Sequence, residues 1–140
     1  MNILVADGND DVAQTLACML HVLDHQSTVV LNYSDAMVAA ETQAFDACII
    51  DLDLPPFSGA KLLQSLRLTK SCASIRSVGW TTAEDVWRSQ PSTRAFDVFL
   101  TKPVSIDVIA AALRSSLCPA CSLPLNAAHH HSYCCWQWPP

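Results

Sequence analysis

The stretch that decides the fold occupies residues 47–59 and reads ACIIDLDLPPFSG. It starts with four apolar residues, the pattern of a strand that is buried on both faces. The strand runs into Asp51, and a turn containing two prolines follows it as far as Gly59. Because ligands of doubly wound sheets bind outside the carboxyl ends of the strands, Asp51 is the first candidate for a functional residue.

The same arrangement of a short apolar run before a helical pattern repeats along the chain. Further strands are predicted at residues 3–6, 28–31, 75–80 and 98–100. Five helices are predicted. The first begins at Asp10, and the second covers 35–44 with an N-cap at Ser34. The third contains Leu62, Leu63, Leu66 and Leu68, the fourth begins at 84–88, and the fifth follows an N-cap at Ser105. Strands alternating with helices predict an α/β fold with a doubly wound, five-stranded parallel sheet.

Four polar residues stand where predicted strands end. Asp7 follows the first strand, Asp51 the third, Thr81 the fourth and Lys102 the fifth. An acid after an apolar strand is often only a turn residue, so each of them alone is a weak signal. Their joint placement predicts one site at the carboxyl edge of the sheet.

Composition and charge narrow the class of protein. The chain has 140 residues, of which 51% are hydrophobic, which is enough for one domain with a real core. The net charge of −5, without a cluster of Lys or Arg, argues against binding to nucleic acid. No apolar run is long enough to span a bilayer, and the first residues lack the basic region of a signal peptide. We therefore expect a soluble, cytoplasmic protein that does not bind membranes.

The motifs at these strand ends together resemble the response-regulator receiver family of two-component signalling. They are ILVAD at residues 3–7, IIDLDLP at 49–55 with Gly59, then Thr81, and Lys102-Pro103 located 51 residues after Asp51. The resemblance covers residues 1–117, which we take as the receiver domain. The resemblance implies the flavodoxin-like strand order 2-1-3-4-5. This order is taken from the family, because the residues alone do not establish it.

The resemblance implies a role for each polar residue. Asp51 is the expected nucleophile that accepts a phosphoryl group. Asp7, Asp51 and the backbone carbonyl of Asp53 are the expected ligands of Mg²⁺, a hard cation that prefers oxygen. Lys102 is expected to pair with the phosphoryl oxygens, and Thr81 to donate a hydrogen bond to them.

The resemblance also implies partners and a switch. The phosphoryl donor is expected to be a histidine kinase or a phosphotransfer protein, and the family permits a dimer. The chain is expected to catalyse only its own phosphorylation and dephosphorylation, without being a turnover enzyme. Phe99 resembles the aromatic switch of the family, and the alternative is that it is only a core residue. The Lys102–Pro103 bond is expected to be cis.

One departure from the family concerns the residue after Asp7. Most receivers carry two adjacent acids there, whereas this chain has Gly8, so Mg²⁺ is expected to bind weakly. The carboxylate of Asp53 could point back and compensate, or it could repel an incoming phosphoryl group. The alternative function is therefore a pseudo-receiver, which is an interaction module that works without phosphorylation.

Several assignments stay open at this stage. Thr82 could replace Thr81 in the motif, and Asp7 could be a turn residue without a metal. Trp80 could fill the core or face a partner. Three cysteines in periodic segments, Cys18, Cys48 and Cys72, are expected to pack as small apolar residues.

The tail at residues 118–140 has a different composition from the domain. It holds four cysteines, the run His129–His131 and two tryptophans. Cys and His are zinc ligands, yet their spacing matches no common zinc finger. We expect a disordered tail, with a zinc site, a redox or metal sensor, and read-through past a frameshift as alternatives.

Overall fold

The structure is a computed structural model that describes residues 1–82 and 90–114, without the side chains of Ser92 and Thr93. The predictions for the helix at 84–88, for Trp87 and for the tail at 118–140 lie outside the described residues.

The five predicted strands form one parallel sheet. Their bounds are β1 Asn2–Ala6, β2 Gln26–Val30, β3 Ala47–Asp51, β4 Arg76–Thr81 and β5 Val98–Thr101. The order in the sheet is β2-β1-β3-β4-β5, which confirms the doubly wound prediction. Because the chain moves from β1 to β2 on one side and then returns past β1 to β3, the order reverses between β1 and β3.

The described residues form four α-helices and one short 3₁₀ helix besides the strands. Their bounds are α1 Asp10–Val22, α2 Tyr33–Thr42, α3 Gly59–Leu68, the 3₁₀ helix Pro91–Ala95 and α4 Ile106–Arg114. Ser105 caps α4 as predicted, since its hydroxyl accepts a hydrogen bond from the backbone N–H of Val108 at 3.4 Å. Among the described helices, none is long and apolar enough to cross a membrane.

The predicted N-cap of α2 at Ser34 is wrong. Asn32 is the cap, and its side chain accepts a hydrogen bond from the backbone N–H of Asp35 at 2.9 Å. Asn is as good a cap as Ser, and Asn32 has the extended backbone that a cap requires, whereas Ser34 already lies inside the helix.

The sheet is covered on both faces, which explains its nearly continuous apolar strands. Alternate strand residues point to opposite faces. Leu4, Cys48 and Ile50 pack against α2 and α3, while Val5 and Ile49 pack against α1 and α4. The carboxyl ends of all strands are thereby held at one edge between two layers of helices.

Two expected core residues lie at the surface. Leu68 is 85% exposed, although Leu66 is fully buried. Two positions rotate a helix by about 200°, so these leucines face opposite sides of α3. Cys18 is also exposed, whereas Cys48 and Cys72 are buried as predicted.

Gly79 has a packing role in β4. A Cβ atom built at this position would lie 3.0 Å from the ring of Phe96. β4 pairs with both β3 and β5 in spite of its polar residues. The ring of Phe96 therefore occupies the space that the missing side chain leaves.

Candidate functional site

The strand register brings the first two carboxylates side by side. Ala6 of β1 pairs with Ile50 of β3, so Asp7 and Asp51 follow at the same level on adjacent strands. They flank the point at which the strand order reverses, where ligands of this fold class bind. The sheet thus places two acids that lie 44 positions apart in the sequence at one position in space.

Lys102 joins these two acids. Its ammonium lies 2.7 Å from one carboxylate oxygen of Asp7 and 3.4 Å from one of Asp51. The side chains are mostly withdrawn from water, with exposures of 12% for Lys102, 1% for Asp7 and 14% for Asp51. A buried carboxylate needs such a partner, because desolvation of an unpaired charge costs several kcal/mol.

Backbone groups complete the surroundings of Asp7. The N–H of Asn9 donates a hydrogen bond to Asp7 Oδ1 at 2.9 Å. Asn9 is also the N-cap of α1, so the start of this helix fixes the orientation of the carboxylate. This role of Asn9 is missed by the sequence analysis, although an Asn before two acids at a helix start is a recognisable cap.

The environment of Asp51 changes its acidity. Burial raises the pKa of Asp51 above its usual range because the charged form loses hydration. The backbone N–H of Asp53, which donates to Asp51 at 3.1 Å, and the cation of Lys102 oppose this rise, while the charge of Asp7 adds to it. The result is a carboxylate that is partly desolvated and still accessible, as a nucleophile needs to be.

The side chain of Asp53 turns back toward the sheet. The hydroxyl of Thr81 donates a hydrogen bond to Asp53 Oδ2 at 3.4 Å. Thr81 is fully buried at the end of β4, while Thr82 is exposed. Of the two threonines, Thr81 is thus the one in contact with the predicted site, and the backbone N–H of Lys102 donates to its carbonyl at 2.8 Å.

The space beside Gly8 is limited by a proline. A Cβ atom built on Gly8 would lie 3.1 Å from Pro55 Cδ and 3.5 Å from Pro55 Cγ. Pro55 belongs to the turn after β3, whose Pro55–Pro56 bond is cis. A side chain at position 8 is therefore feasible only with a small displacement of Pro55.

The carboxylates of this site are the candidate ligands of a divalent cation. In residues 1–82 and 90–114, no group of three or more His, Cys, Asp or Glu side chains is placed to hold a metal ion. Asp7 and Asp51 do lie together, and Mg²⁺ is usually bound by one or two carboxylates and several waters. These two carboxylates fit a weakly held Mg²⁺. The carboxylate of Asp53 accepts a hydrogen bond from Thr81 instead of joining them.

Trp80 lies at the site, although its sequence context predicts only a core residue or a contact with a partner. Its side chain is 5% exposed, and Lys102 Nζ lies 4.4 Å from its ring centroid. An ammonium over an indole face is attracted to the ring. Its position in the sequence could have indicated this place, because the residue before Thr81 must lie on the opposite face of β4, toward α1 and α4.

Two further expectations concern β5 and its end. Phe99 is buried at 2% exposure in the core layer beneath α2 and α3. The Lys102–Pro103 bond is cis, as predicted.

Comparisons with known proteins agree on the type of domain. The family described as the response regulator receiver domain matches residues 3–114. A response regulator receiver protein of Anaeromyxobacter sp. (strain Fw109-5) is 30% identical over 103 residues. That match includes 74% of this chain but only 43% of the relative, so the chain spans less than half of the relative's length.

Solved structures show the same fold. A CheY-like receiver domain from Methylobacillus flagellatus superposes with a TM-score of 0.75 at 27% identity, covering 81% of this chain and 96% of that one. The receiver domain of a sensor histidine kinase from Pseudomonas aeruginosa PAO1 has a TM-score of 0.74 at 22% identity, covering 81% and 93%. The latter structure has a magnesium ion coordinated in its active-site cleft.

Proposed function

Because this chain belongs to the response regulator receiver family, we propose that it accepts a phosphoryl group on Asp51 from a histidine kinase or a phosphotransfer protein. The observation that carries the proposal is the contact of Lys102 with Asp7 and Asp51 at the switch point of the sheet. A cation that touches both acids is placed to neutralise the charge that a phosphoryl group would bring.

The proposed reaction is a displacement at phosphorus. A carboxylate oxygen of Asp51 attacks the phosphorus of a phosphohistidine, the new O–P bond forms, and the N–P bond breaks. The leaving imidazole keeps the electron pair of that bond and is protonated from water. Asp51 needs no general base because it reacts as the ionised carboxylate.

The other residues act on charge and position. Lys102 would exchange its contact with Asp51 for one with a phosphoryl oxygen while its shorter contact with Asp7 holds it in place. Asp7, Asp51 and the backbone carbonyl of Asp53 would hold Mg²⁺, which supplies further neutralisation of the phosphoryl oxygens when bound. A receiver domain bearing magnesium among the structural neighbours supports this assignment.

The readout of phosphorylation would begin at Thr81. Its hydroxyl now donates to Asp53, and a phosphoryl group on Asp51 would offer a stronger, charged acceptor. Movement of Thr81 would then be followed by the ring of Phe99, in line with the family's switch. We propose that the chain catalyses its own phosphorylation and dephosphorylation only and passes the signal on through a protein partner or a dimer.

A direct experiment tests this function. The protein is incubated with Mg²⁺ and acetyl phosphate, and its intact mass is recorded together with tryptophan fluorescence. A phosphoryl adduct with a fluorescence change is expected, since Lys102 lies over the ring of Trp80. The Trp80→Phe variant serves as the fluorescence blank for the other three tryptophans. A protein that shows no adduct would refute the proposal.

The rate of this labelling should depend on pH in a definite direction. Because the pKa of Asp51 is raised, the nucleophile should be lost by protonation at a higher pH than the usual aspartate value of about 3.9. Initial rates across acidic buffers at constant Mg²⁺ measure this. In Lys102→Met the profile should move further up in pH, because the cation that lowers the pKa is gone. An unmoved profile would contradict the role given to Lys102.

Restoring an acid beside Asp7 should strengthen metal binding. Gly8→Asp is expected to raise Mg²⁺ affinity by roughly tenfold, because it adds a carboxylate ligand. The displacement of Pro55, whose Cδ lies 3.1 Å from the new Cβ, offsets part of the gain in binding free energy. Fluorescence titration with Mg²⁺ measures the change, and Gly8→Asn is the uncharged control of equal size. Equal affinity in both variants would mean that position 8 is not at the metal site.

Gly8 also supports the second candidate, a pseudo-receiver. Its site lacks the family's second acid, and the described side chains provide no group of three metal ligands. In that case Lys102 would serve only to hold the two carboxylates of a protein-interaction module together. The labelling experiment separates the two functions, since a pseudo-receiver gives no phosphoryl adduct.

A further inference from the structure

The ammonium of Lys102 is in contact with an aromatic ring as well as with two acids. It lies 4.4 Å from the ring centroid of Trp80, 2.7 Å from Asp7 and 3.4 Å from Asp51. The attraction between a cation and an indole face acts within about 6 Å and grows when both groups are withdrawn from water. Because the side chain of Lys102 is 12% exposed and Trp80 is 5% exposed, this contact belongs to the stronger kind.

The order of the strands explains why Trp80 meets this ammonium. β4 lies between β3, which ends in Asp51, and β5, which Lys102 follows. Trp80 pairs with Asp51 in the register of the sheet. Their side chains point to the same face, because Val78 and Ile49, two positions before them, both pack on the α1 and α4 side. The side chain of Lys102 therefore reaches past the end of β4 to the acids, over the ring of Trp80.

A neutral partner has a property that the two acids lack. In the proposed reaction the carboxylate of Asp51 becomes an acyl phosphate, and Lys102 moves from this carboxylate to a phosphoryl oxygen. The ring of Trp80 keeps its attraction for the ammonium during this exchange, and it carries no charge that competes with the phosphoryl group. Since the four-carbon stem of a lysine has many rotamers, a ring that restricts them keeps the ammonium near its productive position.

We propose that Trp80 is a positioning residue for phosphoryl transfer, whose ring face holds the ammonium of Lys102 beside Asp51 before the reaction and beside the phosphoryl group after it. This role rests on the proposed function of the site. Trp80 acts through Lys102 and takes no part in the bond changes at phosphorus. Among the described residues the indole N–H has no hydrogen-bond partner, so Trp80→Phe breaks no hydrogen bond there and keeps an aromatic face.

The contact itself is measured without phosphorylation. ¹H–¹³C spectra of the full chain follow the ε-methylene protons of Lys102, which are assigned by their absence in Lys102→Met. We expect these protons to lie upfield of those of the exposed Lys61 and Lys70, because an aromatic face shields protons above it. Trp80→Leu should return them to the position of the exposed lysines. Unshifted protons in the wild-type protein would overturn the proposal, whether or not it is phosphorylated.

The consequence of the contact is measured by the initial rate of labelling with acetyl phosphate at saturating Mg²⁺. Trp80→Leu should be labelled roughly tenfold more slowly than the wild-type protein, and Trp80→Phe should regain most of this rate. Val78→Ala, which opens a cavity on the same face of β4, should leave the rate nearly unchanged. A wild-type protein that is not labelled would refute the proposed function. Trp80→Leu labelled as fast as a wild-type protein that is labelled would refute the role of Trp80 alone.

A change in the charge distribution of the ring separates attraction from packing. Fluorine withdraws electron density from the indole face and weakens its attraction for a cation, while the shape of the ring changes little. Protein produced with a fluorinated tryptophan should be labelled roughly threefold more slowly. Trp80→Phe produced in the same way keeps the other three tryptophans and should show no such change. Equal slowing of both proteins, or none, would refute the proposal, and this result does not depend on the folding of Trp80→Leu.

Discussion

Replacing Asp51 by Asn is expected to abolish phosphorylation by acetyl phosphate while the fold remains intact. The amide has nearly the shape of the carboxylate but cannot attack phosphorus as an anion. Lys102 would keep its partner, because it lies 2.7 Å from Asp7 and only 3.4 Å from Asp51. Intact-mass measurement of the adduct and circular dichroism of the fold check the two parts of this expectation.

The matched control makes the same chemical change two residues away. Asp53→Asn keeps the backbone carbonyl that we assign to Mg²⁺ and should still be labelled on Asp51. It also tests whether the Asp53 carboxylate shortens the life of the phosphorylated state, since the adduct should then decay more slowly. Labelling that survives in Asp51→Asn would reject Asp51 as the acceptor.

The Asp51→Asn substitution should also change the free energy of unfolding, and the sign of its pH dependence follows from the pKa of Asp51. A pKa of Asp51 that is higher in the folded than in the unfolded chain means that the folded state prefers the protonated form. The contribution of this carboxyl to the free energy of unfolding is most favourable below its pKa in the unfolded chain, and it is lost as the pH rises through its pKa in the folded chain. Asp51→Asn should therefore raise the free energy of unfolding at neutral pH, and this gain should shrink in acid.

Gly59→Ala is expected to cost roughly 3 kcal/mol of stability and to lower the melting temperature by roughly 10 °C. A Cβ atom at this position would lie 2.2 Å from the backbone oxygen of Asp51 and 2.7 Å from Ile50 Cγ2. The first turn of α3 packs directly on the end of β3, where Gly59 N–H donates to the carbonyl of Leu52 at 2.9 Å. Relief of the clash requires movement of the helix away from the site.

Gly8→Ala is the control for this effect. Among the described residues, the atom nearest to its Cβ is Pro55 Cδ at 3.1 Å, and this neighbour needs to move by only a few tenths of an ångström. Urea unfolding of both variants measures the difference, and we expect a loss below about 1 kcal/mol for Gly8→Ala. Equal losses in the two variants would show that the contact with Asp51 does not set the requirement for glycine.

The strands were predictable because their signal is local. The run before Asp51 is apolar on both faces, and only a strand between two helix layers meets that demand. The predicted bounds of β2 were wrong at both ends, because the strand runs over Gln26–Val30 and not over 28–31; Leu31 is apolar, yet it is 36% exposed and lies beyond the strand. The cap of α2 was missed because Asn32 and Ser34 are equally good caps by residue type, and the backbone of Asn32 decides between them.

The class of fold and the four polar residues at the strand ends follow from the amino-acid sequence, because hydrophobic periodicity and chain order are local properties. How these residues meet depends on the pairing of the strands. The register of β1 with β3 places Asp7 beside Asp51, and Lys102, which follows β5 at the same edge of the sheet, contacts both. The hydrogen bond from Thr81 to Asp53 likewise joins elements that lie far apart in the sequence, because packing and not spacing along the chain sets the distance between them.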